Sequence, residues 1–105
     1  MGIPPDTYPV GQKGRLYAGS TSFDAQQGGS HIRYAEIRGN SGEDVVSFFV
    51  SVIPPEGKPS VPLVDIRFGL VNVSQPQIVV GIQTTDASPI ADGYSCHFSF
   101  QSVKR

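Results

Sequence analysis

What most constrains this chain is a spacing of two. In several separate stretches apolar and polar residues alternate one by one, and each stretch is bounded by Gly, Pro, Asn or Asp. Successive side chains of a strand point to opposite faces, so this is the pattern of a half-buried strand. The final stretch shows it best. Tyr94, Cys96, Phe98 and Phe100 fall on one face, and Ser95, His97, Ser99 and Gln101 on the other. Val64 to Leu70 repeats it, with Val64, Ile66, Phe68 and Leu70 against Asp65, Arg67 and Gly69. In Gln77 to Thr84, Ile78, Val80 and Ile82 share a side that Val79 and Gly81 do not. Val45 to Ile53 is apolar on both faces: Val46, Phe48, Val50 and Val52 on one, and Val45, Phe49 and Ile53 among serines on the other. A strand of that kind is central in a sandwich or covered by a second chain. Ile32 to Arg38 and Arg15 to Ala18 complete the set.

The connections carry turn chemistry. Gly39-Asn40-Ser41-Gly42 suits a tight turn, because Gly and Asn accept positive φ at low cost. Pro54-Pro55-Glu56-Gly57-Lys58-Pro59 cannot continue a strand, since proline lacks the donor N–H. Gln75-Pro76 and Asp86 to Gly93 close the remaining gaps. No stretch holds a helical period, so the expected fold is all-β: a small antiparallel β-sandwich or barrel of about six to eight strands. Its expected core is Phe48, Val50, Ile66, Phe68, Val80, Ile82, Phe98 and Phe100.

The first thirteen residues differ from the rest. Met1 to Val10 holds three prolines, Pro4, Pro5 and Pro9, with Ile3, Tyr8 and Val10 as spaced apolar residues. This predicts an extended Pro-rich arm over 1–13 ahead of one β domain over 14–105. Proline restricts φ, so ordering such an arm costs less entropy than ordering a Gly/Ser segment. Ile3, Pro4, Pro5, Tyr8 and Val10 are therefore the expected contacts with a neighbouring chain.

Chemistry is hard to find. The two histidines and one cysteine offer a single suggestive pair, Cys96-His97. Neighbours in a strand point to opposite faces, which makes Cys96 a buried structural residue and leaves His97 outside. No metal-ligand spacing of Cys and His occurs; Asp86, Ser88 and Asp92 share a loop but lack the spacing of a calcium hand. Gly28-Gly29-Ser30 precedes a strand, whereas a phosphate cradle opens a helix. It reads as a loop, and Ser20 to His31 is a candidate contact segment. Neither catalytic residues nor a metal or other cofactor is expected.

The charge balance points the same way. Eight basic residues stand against nine acidic, for a net charge of −1, and charged residues are only 16% of the chain. That is no footprint for nucleic acid. No run of like charges suggests a membrane surface, and no segment approaches the roughly 18 apolar residues of a membrane span. The N-terminus has no basic and apolar signal, so a virion or cytoplasmic location is expected. Weak self-repulsion suits close packing with neighbours.

The leading expectation is a non-enzymatic structural protein that packs with copies of itself as a homo-oligomer, or on a larger protein particle. Its concrete form is a bacteriophage capsid, decoration or tail component. The alternative is a carbohydrate-binding module, with Tyr17, Phe23 and Tyr34 as stacking aromatics. Gln77 to Ile82 followed by Thr84-Thr85-Asp86 resembles segments of small lectin-like β-sandwiches, over a stretch too short to identify a family.

Overall fold

The computed structural model describes residues 14–24 and 31–105. They form six strands: β1 (Arg15–Ser22), β2 (Ile32–Arg38), β3 (Glu43–Ile53), β4 (Leu63–Val71), β5 (Gln75–Gln83) and β6 (Ser95–Lys104). All pairings are antiparallel and give two three-stranded sheets, ordered β1-β6-β3 and β2-β5-β4. The all-β expectation holds. The arm over 1–13, with Ile3, Pro4, Pro5, Tyr8 and Val10, and the glycine loop over 25–30 lie outside the described residues.

The two middle strands, β5 and β6, supply the centre of the core. Ile78, Val80 and Ile82 of β5 and Cys96 of β6 are at most 1% exposed. Ala35, Ile37 and Phe100 join them, and so do Phe23, Val61, Ile90 and Tyr94 from the connections. Phe23, Val61 and Ile90 have no alternating neighbours in sequence, which is why periodicity missed them. Their loops are held by polar contacts. The Arg33 guanidinium, on β2, donates to the Ile90 carbonyl and to Asp92 at 2.8 Å. The Tyr94 hydroxyl donates to the Pro59 carbonyl.

At the opposite end the Gly39 to Gly42 turn links one sheet to the other, with Gly42 at φ 82. Gly39 N–H donates to the Pro76 carbonyl at 2.9 Å and Gly42 N–H to that of Ser74 at 3.0 Å. Glu43 begins β3 there and is 7% exposed, its carboxylate accepting from the Ser102 hydroxyl at 2.9 Å and the Asn40 amide at 3.3 Å. A buried carboxylate so engaged is satisfied in place.

Four sequence expectations need correction. Gln75-Pro76 does not turn but opens β5; the turn falls at Asn72-Val73, closed by Ser74 N–H to the Val71 carbonyl at 3.4 Å. Among the described residues β3 is an edge strand, so of the two readings of its apolar faces the central position falls. Two bulges break the expected parity, at Val45/Ser47 in β3 and at Leu63/Asp65 in β4. A bulge inserts one residue and shifts the alternation. Val45 and Leu63 therefore pack on the core, while Val46 and Val64 are left 39% and 54% exposed. Lastly, of the eight expected core residues, Val80, Ile82 and Phe100 are buried and Phe48, Val50 and Phe98 pack on the core half-buried. Ile66 and Phe68 are exposed, at 41% and 62%.

Candidate protein-binding surface

Strand order explains that exception. Ile66 lies opposite Val80 and Phe68 opposite Ile78 in the β4–β5 register, so they share a face with fully buried residues. They point the right way, but the other sheet covers them only in part. β3 packs more closely on β5 than on β4, so β4 overhangs the core. The result is a flank formed by two edge strands, β3 and β4, with apolar side chains between and around them. Phe48 and Phe68 meet edge-to-face across it, ring centroids 5.9 Å apart. A cleft of about 220 Å³ opens beside them, lined by Val45, Val46, Ser47, Phe48 and Phe68.

The apolar surface continues in both directions. Leu70 is 57% exposed, and Val73, in the turn just beyond it, 87%. On the outer face of β3, Phe49 is 71% exposed. Scattered apolar residues are ordinary on a surface, but contiguous large ones on unpaired strand edges mark contact sites. Phe68 was expected in the core because alternation shows which face a residue takes and not whether that face is covered.

The outer face of β4 is polar. Asp65 and Arg67 form an ion pair at 2.8 Å, and the Arg67 guanidinium sits 5.8 Å from the Tyr34 ring centroid. The ring lies over Gly81, where a Cβ would come within 2.8 Å of it. A shallow depression of about 440 Å³ adjoins, lined by Tyr34, Arg67, Phe68, Gly69, Gln77 and Val79. Glu36 accepts from Arg38 and Gln77, both at 2.6 Å.

The three aromatics expected to contact sugar do not converge. Phe23 is 4% exposed and belongs to the core. Tyr17 turns inward and stacks on Phe100 at 5.2 Å, its hydroxyl accepting from the Asn40 amide. Tyr34 alone of the three stands on the outer face, on the other sheet. Cys96 is buried and His97 exposed, on opposite faces of β6 as expected. Burial pushes the Cys96 thiol above its usual pKa, partly opposed by a backbone hydrogen bond from Thr21.

The loop acids are occupied locally. Hydrogen bonds from the Ser88 hydroxyl, then its N–H, hold the Asp86 carboxyl below the usual range, and Asp92 accepts from Arg33. Among the described residues no three His, Cys, Asp or Glu side chains group as metal ligands, and no helix is long and apolar enough to cross a membrane. The chain matches no family model, and comparison with curated proteins and with solved structures finds no match either.

Proposed function

We propose that this chain is a non-enzymatic assembly domain, a small β-sandwich that joins copies of itself or a larger protein particle through the flank of β3 and β4. The observation that carries this reading is the row Ile66, Phe68 and Leu70, 41–62% exposed on the core-facing side of an edge strand. An alternating apolar face left open beside unpaired backbone groups is the surface another chain covers. The setting we propose is a virion, with the chain as a bacteriophage capsid, decoration or tail component. Its low charge and weak self-repulsion support close packing there.

Light scattering over a range of concentrations tests the reading. The full chain should self-associate, and Phe68→Asp should weaken that by at least about tenfold, the effect of about 1.4 kcal/mol at an interface. The circular dichroism spectrum should be unchanged, because Phe68 is exposed in the single chain. Self-association indifferent to Phe68→Asp would remove the flank from the reading.

Carbohydrate binding is the second reading, and the Tyr34 depression is its support. It ranks lower because Arg67 lies over the ring face that a sugar would stack on. Specific signal on a glycan array, lost in Tyr34→Ala, would reverse the ranking.

A further inference from the structure

We propose that the flank is a two-fold interface between copies of this chain, in which β4 of one copy pairs antiparallel with β4 of a second across an axis at Ile66. The proposal rests on the assembly reading and assigns it a partner and a register. Among the described residues, β4 pairs with β5 on one side and with nothing on the other. Its nine residues, Leu63 to Val71, include neither proline nor lysine, two of the usual protections of an edge. The bulge at Leu63/Asp65 lies near one end, leaving Asp65 to Val71 regular.

Charge selects the register. Asp65 and Arg67 flank Ile66 symmetrically and share the outer face of β4. In an antiparallel pair centred on Ile66, Asp65 of each copy faces Arg67 of the other, and two cross-strand ion pairs form. Shifting the axis by one residue faces Asp65 with Asp65, or Arg67 with Arg67, and like charges directly opposite destabilise a pair. An axis at Phe68 puts Arg67 opposite Gly69 and leaves both charges without a counterpart. The chosen register also brings Ile66 against Ile66, a residue 41% exposed to solvent in the single chain. The segment Asp65-Ile66-Arg67 is thus complementary to itself when reversed, as an interface made of the same patch on both copies requires.

Charge exchange in the full chain, read by sedimentation equilibrium, tests the proposal. Arg67→Asp gives two acidic residues at these positions, and Asp65→Arg gives two basic ones. Each variant alone should associate about tenfold more weakly than wild type, since both cross-strand pairs become repulsive. Mixed one to one, the two variants should recover wild-type association, because every acid then faces a base. A folding defect would not be repaired by mixing. Wild-type association that ignores both exchanges, or a mixture that stays dissociated, overturns the two-fold pairing. The assembly reading survives that result if Phe68→Asp still breaks association. If only deletion of residues 1–13 abolishes association, the flank belongs to that segment, and the β4 pairing is wrong.

Discussion

β4 and β5 are neighbours in one sheet, with the same alternation, and they have opposite fates. Ile78, Val80 and Ile82 of β5 are at most 1% exposed, while Ile66, Phe68 and Leu70 of β4, on the same face, are 41–62% exposed. The apolar residues are of similar size, so composition does not separate the strands. Position does: β5 lies in the middle of its sheet beneath the opposing one, and β4 hangs beyond it. The comparison shows that a period of two reports orientation, and that burial needs a second layer the sequence does not announce.

The strongest way to break this comparison is to truncate the same residue type in both strands. Ile82→Ala should cost about 2–5 kcal/mol, the usual range for emptying a fully buried isoleucine site. Ile66→Ala should cost less than about 1 kcal/mol in dilute protein, because much of its side chain already meets water. Urea unfolding at low concentration measures both. Equal costs would mean that β4 is covered in the isolated chain. Repeating the Ile66→Ala measurement at high concentration sharpens the contrast, since association through β4 should then add to its cost.

Much of the fold was legible. Tyr94 to Gln101 and Gln77 to Thr84 were readable because each carries an uninterrupted alternation, and both became middle strands. The two bulged strands were readable as strands but not in phase, because an inserted residue at Val46 or Val64 leaves no mark in composition. Phe23, Val61 and Ile90 were not found because loop residues are buried by tertiary closure, without a period. The candidate surface was half visible. The two-sided apolar character of β3 pointed to a covering chain, but its companion residues on β4 looked like core. Strand order is what separates those meanings, and it arises from pairings between residues far apart in sequence.

The β4–β5 turn offers a smaller and opposite effect. Asn72 and Val73 both take positive φ, 52 and 57. Asn tolerates that region, whereas a β-branched residue there is an outlier that costs roughly 1–2 kcal/mol. Val73→Gly should therefore raise stability by about 1 kcal/mol, part of the relief being offset by the greater entropy glycine loses on folding. Thermal unfolding checks it. No gain would show that the exposed valine has a folded-state contact that compensates its backbone. A gain in stability with a loss of association would extend the contact surface from Phe68 to the turn tip.

The smallest expected effect lies on the covered side of the comparison, at Cys96. Its side chain is fully buried on β6, and desolvation raises the thiol pKa above the ordinary value of about 9. The unfolded chain then releases the proton at a lower pH than the folded one. Below the unfolded value both states hold the proton, and this group makes stability independent of pH. As pH rises past it, the unfolded state binds fewer protons and stability falls, continuing until the folded thiol also ionises. Denaturant midpoints should therefore decline more steeply in wild type than in Cys96→Val above about pH 9. Other alkaline groups titrate in both proteins, so the difference between the two curves isolates the thiol. Native protein at neutral pH should also label slowly with a thiol reagent, because attack needs an exposed thiolate. Rapid labelling, or identical alkaline curves, would show that water reaches Cys96 and that the middle of the core is less closed than β5 and β6 indicate.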